Sequence, residues 1–331
     1  NSWGSFFRGK EGYYYGGDVD RYLYDRNEFI IFFAAGNSGR NGDRTIAREA
    51  SIKNVISVGA GETTYHSASI DYIAPFSSRG PAYDGRIKPD IISAGASLNS
   101  ARSNGDGGES CATVGMAGTS MASPSAAGAA ALVMQYFDDE RFWKSECNPR
   151  YPSCNTFLPT GVLVKAVLIH SAIGMKLQEG GPNLGTPPDS TQGYGRIALY
   201  TALPLKNKYD FDLFVAEKIP ISAYSTLTYK ADVDNSLTSF KVTIVWYDPP
   251  NSGSPSKALL HDLDLLVTSP SGAVYHGNGG NQNDDLNTNE KIEVFNPDEG
   301  EWKIEVKTRA LPFSPVQEFA IVVSCDGTSH V

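Results

Sequence analysis

The sequence lacks several features that mark specialised classes of protein. No apolar run approaches the roughly 20 residues that a membrane-spanning helix needs, and the start, Asn1–Trp3, has no basic region or apolar signal core. Basic residues form no cluster, and the net charge is −9. We therefore expect neither nucleic acid nor an anionic membrane surface as a partner. No Asn-x-Ser/Thr acceptor is present, so N-glycosylation is not expected either.

Cysteine is scarce, with four residues in the chain. Cys147 and Cys154 close a short loop that contains prolines, which suits a disulfide and favours an oxidising compartment, so we expect a secreted, extracellular protein. A C-x6-C pair without nearby histidines is a poor zinc site. Cys111 and Cys325 either bond to each other, stay reduced, or pair with cysteines on another segment.

The length of 331 residues, with 40% hydrophobic residues, is enough to bury a large core and predicts two domains of unequal size. The apolar run at 29–35 leads directly into a glycine turn at 36–39, as expected for a buried parallel strand. The run at 161–170 has the apolar density of a buried helix. Functional sites in such α/β sheets lie at the carboxyl ends of strands, where Asn37 falls.

Residues 118–134 consist of a turn that begins with glycine and a run of small residues after it. So many alanines predict a helix packed closely on every side in the middle of a domain. Ser120 then lies at the start of that helix, where unpaired N–H groups and the helix dipole favour an oxyanion. The simpler interpretation is a serine that only caps the helix.

Two motifs in this half of the chain decide between these interpretations. Gly-Thr-Ser-Met-Ala-Ser-Pro at 118–124 closely resembles the nucleophile signature of subtilisin-like serine proteases, and Gly36–Gly39 resembles their oxyanion-hole turn. The resemblance covers roughly residues 1–205. It implies an α/β fold with a doubly wound, mostly parallel sheet around a buried central helix. It also implies that Ser120 is the nucleophile and that Asn37 is a donor to the oxyanion.

The resemblance implies a substrate cleft as well. Ser2, Trp3 and Gly4 look like the strand beside which an extended protein or peptide substrate lies, although Trp3 could equally pack in the core. Ala35 and Gly36 are implied to contact the substrate too. Residues 39–53 look like one wall of the pocket for the residue before the scissile bond, where Arg48 and Glu49 can also be interpreted as a solvated pair.

The base that a serine nucleophile needs is missing from these motifs. Acyl transfer requires a histidine and an orienting aspartate, and no stretch resembling the family's motifs for either occurs in residues 1–119. His66 is the only histidine before Ser120 and lacks the family's flanking residues. The chain therefore resembles the C-terminal part of a protease whose Asp and His come from an upstream N-terminal fragment. The alternative is an inert protease remnant that binds a partner through its C-terminal domain.

The hydrophobic period changes to two in the C-terminal third, at 240–246 and 302–307. This predicts a smaller antiparallel β-sandwich or jelly-roll domain at 208–331, after a protease domain at 1–207. Acidic residues gather hard oxygen ligands near strand ends, and we expect a structural calcium ion on Asp262, Asp264, Asp284 and Asp285. These residues can also be interpreted as solvated acidic loops.

Overall fold

The computed structural model describes residues 1–5, 16–64, 69–103, 105, 111–146, 154–177, 184–205, 208–209, 211–234, 238–251 and 256–325. In these ranges the α-helices are α1 (Gly17–Asp25), α2 (Thr119–Asp138), α3 (Trp143–Glu146) and α4 (Gly161–His170). None of them is both long and apolar enough to cross a membrane. The strands of the first part are β1 (Phe32–Ala34), β2 (Ile56–Gly61), β3 (Ile91–Ala94), β4 (Leu98–Ala101) and β5 (Thr113–Met116). Those of the second part are β6 (Asp212–Ser222), β7 (Thr226–Val233), β8 (Ser239–Val245), β9 (Leu263–Thr268), β10 (Val274–His276), β11 (Asn289–Phe295), β12 (Gly300–Thr308) and β13 (Val316–Cys325).

A parallel sheet forms the centre of the first part, in the order β1-β2-β3. Every residue of β1 and β2 is buried, which confirms the buried parallel strand predicted near 29–35, although β1 is shorter than the apolar run. Asn1 extends this sheet, because its N-terminal amine donates to Phe32 O at 2.8 Å and its carbonyl accepts from Ala34 N at 3.0 Å. This is the pattern of a parallel pair, so the segment that begins at Asn1 runs along the open side of β1.

Helix α2 packs one face on this sheet and leaves the other face open. Its buried residues include Ala122, Ala126, Ala130 and Val133. The opposite side is exposed at Pro124, Gly128, Ala131 and Leu132, and Leu132 is 57% exposed. The prediction of a helix packed on every side is therefore wrong for the described part of the chain. The contacts with the sheet do not account for the small residues on the open face.

Two four-stranded antiparallel sheets form the second part, in the orders β10-β9-β12-β7 and β11-β8-β13-β6. Their facing side chains build a separate core that includes Phe240, Trp246 and Trp302. Strand β12 alternates between buried and exposed or half-buried residues from Glu301 to Thr308, as its sequence predicts. The described α-helices and the parallel sheet precede this part, so the molecule combines an α/β region with antiparallel sheets.

Strand β8 corrects one expectation about this second part. The period-two pattern predicts a half-buried strand, yet Phe240–Val245 is buried throughout. The reason is that the outer face of its sheet packs on α4, so that Val245, Ala320 and Val322 belong to the core of the first part. His170 at the end of α4 is buried there, with Nδ1 3.0 Å from Thr243 Oγ1 and Nε2 2.7 Å from Ser324 Oγ.

Charged groups are also buried where the two parts meet. Lys53 and Asp248 form an ion pair in which both side chains are fully buried. The ammonium of Lys53 also donates to Pro249 O and to Ala258 O. Lys165 on α4 is fully buried as well, and burial lowers its pKa to about 7. The predicted boundary near residue 207 is thus crossed by an extensive packed contact, and it stays a prediction.

The sequence leaves open how the four cysteines pair, and the structure describes part of this pairing. Cys111 is exposed and Cys325 is buried in the second core, and no disulfide joins these two described residues. Cys147 lies outside the described residues. The disulfide between Cys147 and Cys154 therefore stays a prediction.

Candidate active site

Ser120 lies in the first turn of α2, directly after a glycine that makes the turn. Gly118 has a φ of +154°, a conformation that favours glycine, and its N–H donates to Gly95 O. Pro124, one turn further along, has no N–H, so the carbonyl of Ser120 lacks its usual intrahelical donor. Ser2 Oγ fills this role by donating to Ser120 O at 2.8 Å. The proline of the motif therefore creates the acceptor that fastens the N-terminal segment to the helix.

Asn37 meets the start of α2 at the carboxyl end of β1. Its Oδ1 accepts from the N–H of Thr119 at 2.9 Å and from Thr119 Oγ1 at 3.0 Å. These two bonds engage only the amide oxygen, so the amide nitrogen Nδ2 is not used by Thr119. Asn37 is exposed, and Nδ2 has no hydrogen-bond acceptor among the described residues. The structure thus brings together the two catalytic residues predicted from the sequence, with Thr119 between them.

The hydroxyl of Ser120 donates to Ser2 O at 3.0 Å. No histidine of the described residues contacts this hydroxyl. His170 contacts Thr243 and Ser324, and the ring nitrogens of His261 and His276 contact partners in the second part of the chain. His66 lies outside the described residues.

The predicted substrate-binding residues lie on two segments that both contact the start of α2. Trp3 is 61% exposed and packs edge-on against Phe33 at 5.4 Å, so it is not a core residue. The N–H of Ala35 donates to Val58 O, and the carbonyl of Ala35 accepts from the N–H of Ala47. The N–H of Gly36 donates to Thr119 Oγ1 at 3.1 Å. Ala35 is fully buried and Gly36 is half-buried, so the structure gives Ala35 no exposed surface, and the contact of these two residues with a substrate stays a prediction.

Buried carboxylates lie together in the second part, at the ends of β9 and β11. Glu290 is fully buried, and its Oε2 accepts from Leu265 N at 2.7 Å. Its Oε1 has no hydrogen-bond partner in the described structure, and the same holds for Asp262 Oδ1 and Asp264 Oδ1. Burial raises the pKa of all three. Neighbouring carboxylates add to the rise for Asp262 and Glu290, and the pKa of Asp262 rises to about 6. Orphaned carboxylate oxygens of this kind fit a hard cation.

The two other predicted metal ligands have different partners. The oxygens of Asp284 accept from the side chains of Asn278 and Asn287 and from the N–H groups of Leu286 and Asn287. Asp285 is 63% exposed and pairs with Lys257 at 3.2 Å. No group of three or more ligating side chains that meets a metal-site geometry occurs in the described ranges. Calcium, however, also takes backbone, amide and water oxygens as ligands.

Sequence reasoning missed two residues of these sites. Thr119 orients Asn37, and the signal was its place inside the heptapeptide at 118–124, directly before the serine. Glu290 supplies the most deeply buried carboxylate beside Asp264, and the signal was its position at the end of the stretch 281–290, which is rich in oxygen ligands. Neither role could be derived from spacing, because each depends on a partner more than 20 residues away.

Comparison with known proteins gives a consistent result. Residues 1–195 match the model of the subtilase family. The Serine protease/ABC transporter B family proteins tagD and tagA of Dictyostelium discoideum are 25% and 29% identical, over 85% and 76% of this chain and 22% and 15% of theirs. The Serine protease AprX of Bacillus subtilis (strain 168) is 37% identical over 38% of this chain and 33% of its own. The chain spans a third or less of the length of each of these relatives.

Proposed function

Because the family model matches more than half of its residues, the chain belongs to the subtilase family, and we propose that it carries the nucleophile of a secreted serine endopeptidase. The observation that carries this proposal is the meeting of Ser120 and Asn37 through Thr119. A plain capping serine would not need an exposed amide donor beside it. The preferred substrate is an extended stretch of a protein or peptide that lies along Ser2–Gly4.

The proposed reaction forms an acyl-enzyme. Ser120 Oγ attacks the carbonyl carbon of the scissile bond while its proton passes to a histidine base. The negative charge that develops on the carbonyl oxygen is stabilised by Asn37 Nδ2 and by the N–H of Ser120, which has no intrahelical acceptor. The base then protonates the leaving amine, and water releases the acyl group from Ser120 in a second step.

The histidine and the aspartate come, in this proposal, from a companion N-terminal segment outside the 331 residues. The open face of α2 supports a partner at this place, because its small residues, from Pro124 to Leu132, allow a close approach of another backbone. The crevice beside this face, lined by Asn1, Tyr22, Phe29, Pro124 and Ala127 among others, has a volume of about 380 Å³. Docking of the segment there would exchange exposed apolar surface for buried surface and deliver the base to Ser120.

A fluorophosphonate probe tests the function. We expect the assembled enzyme to be labelled at Ser120, with Ser120→Ala losing all labelling and Ser125→Ala, an exposed serine of the same helix, keeping it. The chain without the companion segment should label at least about 10²-fold more slowly, because a base in general contributes 10²–10⁴-fold. A folded, assembled sample that stays unlabelled would favour the inert remnant.

The calcium ion expected from the sequence also belongs to this proposal, with a changed set of ligands. Glu290, Asp264 and Asp262 would hold it through their orphaned oxygens, and the ion would neutralise carboxylates that now repel one another. Its role would be structural, because it would fasten the ends of β9 and β11. Asp284 would support the site by holding its loop, and Asp285 would lie outside it.

Thermal melting with calcium and with chelator tests this site. At a calcium concentration of 100 Kd we expect stabilisation of about 2.7 kcal/mol, or roughly 5 °C in Tm. Asp264→Asn should abolish this response and should melt no lower than the wild type in chelator, because a repulsive charge has been removed. Asp285→Asn, the exposed control, should keep the full response. If the wild type had the same Tm in calcium and in chelator, the proposal of a calcium site would be wrong.

We also propose a jelly-roll fold for the second part and a doubly wound sheet for the first. The order β11-β8-β13-β6 facing β10-β9-β12-β7 supports a jelly roll, because consecutive strands change sheet at every step except the hairpin β9–β10. The parallel order β1-β2-β3, with α2 packed against all three strands, supports the doubly wound arrangement of the protease part. We place the boundary of the two domains at residue 207.

A further inference from the structure

Helix α4 carries a lysine on the side that faces the turn before β2. Lys165 is fully buried. Its Nζ lies 3.4 Å from three backbone carbonyl oxygens, those of Lys53, Asn54 and Val55. These distances exceed the usual range of about 2.7–3.2 Å, and a charged donor normally makes shorter bonds still. Among the described residues no carboxylate lies within ion-pair distance of this amine, so an ammonium here would have weak acceptors and no direct counter-charge.

A second amine already uses the same place. Val55 O also accepts from the ammonium of Lys88 at 3.2 Å, so two lysines share one carbonyl oxygen. Lys88 takes the nearest carboxylate as well, because its Nζ lies 2.6 Å from Asp90 Oδ2. That carboxylate oxygen also accepts from the N–H of Ser57 at 2.7 Å. A charged Lys165 would therefore stand beside another ammonium, with no carboxylate of its own.

The other charged and titratable groups around α4 have partners elsewhere or lie at the ends of the helix. Asp20 on α1 accepts from the N–H of Asn54 at 3.2 Å, and Arg86 pairs with Asp84 at 2.7 Å. The remaining groups are Lys53 and Asp248, which pair with each other, Glu217 at Thr160, and Lys241, Lys291 and His170 at the far end. Helix α2, which packs on the other side of α4, has no charged residue before Asp138. None of these groups supplies a direct partner for Lys165.

Burial is the largest influence on this amine. It lowers the pKa of Lys165 from an ordinary 10.5 to about 7. The charges of Lys88 and Arg86 act in the same direction, and the carboxylates of Asp90 and Asp20 oppose them. Because the unfolded chain keeps the ordinary pKa, it binds more protons than the folded chain between these two pH values. Stability therefore rises with pH through this window, and the whole cost of a buried ammonium is present below it.

Lys165 lies where a change in packing reaches both parts of the molecule. Helix α4 packs on α2, which carries Ser120, and on β8 and β13 of the second part. Lys53 O, which faces the amine, also accepts from Thr288 Oγ1 of the second part at 3.2 Å. We propose that Lys165 is a pH-sensitive element of this junction, which holds the two parts together best when its amine is neutral, at alkaline pH. Protonation places an unpaired charge between α4 and the turn at 53–55 and weakens the contact.

Urea unfolding of the full protein from pH 6 to pH 9, followed by tryptophan fluorescence, tests the inference. The readout is the unfolding equilibrium constant of the wild type divided by that of Lys165→Met, which has a side chain of similar length and no charge. We expect this ratio to fall about 50-fold from pH 7 to pH 9, since one proton changes it by up to tenfold per pH unit. Below pH 7 the ratio should level off.

Lys144→Met on α3 is the matched control, because the side chain of Lys144 is 55% exposed. Its ratio to the wild type should change by less than about twofold over the same pH range. Lys165→Gln, which keeps a polar end without the charge, should show the same pH dependence as Lys165→Met. A ratio that is independent of pH in both Lys165 variants, or that rises with pH, would overturn the inference. Failure of both variants to fold at any pH would overturn it too, because the fold would then depend on the amine itself.

Discussion

Replacing Asn37 by alanine is expected to lower kcat of the assembled enzyme by about 10²–10³-fold while KM stays nearly constant. Removal of one oxyanion donor has this effect in subtilisin, where it corresponds to about 2.7–4 kcal/mol. The amide Nδ2 of Asn37 has no acceptor among the described residues, so a substrate oxyanion would be its partner only in the transition state. Steady-state kinetics on a peptide substrate measure both constants.

Two further variants sharpen this result. Asn37→Asp keeps the acceptor for Thr119 but replaces the donor with a negative charge, so it should be at least as slow as the alanine variant. Asn41→Ala, an exposed asparagine four residues further on, should leave kcat within about twofold. A normal kcat combined with a large rise in KM would contradict the role of Asn37, because it would indicate binding of the ground state.

Asp248→Ala is expected to destabilise the chain by about 3–5 kcal/mol, since it leaves a buried lysine without its counter-charge. Asp248 is fully buried and accepts from the Lys53 ammonium and from the N–H groups of Leu260 and His261. Lys53 belongs to the first part of the chain and Asp248 to the second, so the pair joins the two parts. Unfolding in urea, followed by tryptophan fluorescence, measures the change.

The exposed pair Lys257–Asp285 provides a matched control. Asp285→Ala removes a carboxylate that is 63% exposed, and we expect a change of about 0–1 kcal/mol. Replacing the buried pair together, as Lys53→Met with Asp248→Leu, should recover part of the loss because no lone charge is left. If Asp248→Ala unfolded with the free energy of the wild type, the two parts would not depend on this contact.

Much of the local structure could be predicted from the sequence, because local pattern determines it. The helix at 161–170 has the predicted bounds, and the strand at 302–307 alternates as predicted. The meeting of Ser120 and Asn37 was also expected, although on the resemblance and not on the pattern. Thr119 joins them, and although it stands in the heptapeptide, its role depends on a contact between residues 82 positions apart that the heptapeptide alone does not indicate.

The remaining differences between the predicted and the observed structure concern burial and the acidic region. Those in burial come from packing between the two parts. Lys241 and Thr243 follow the pattern of solvent-facing residues, but α4 covers their side of the sheet, so both are buried. The same contact buries His170. In the acidic region, composition suggested four aspartates, whereas the loop geometry gives Asp284 four donors of its own and brings in Glu290 from the next strand.

The most direct test is a crystal structure of the assembled enzyme with a phosphonate bound to the nucleophile. The account predicts a covalent bond to Ser120 Oγ and a phosphonate oxygen within about 3 Å of both Asn37 Nδ2 and the Ser120 N–H. A phosphonate oxygen directed into solvent, or an adduct on another side chain, would contradict it.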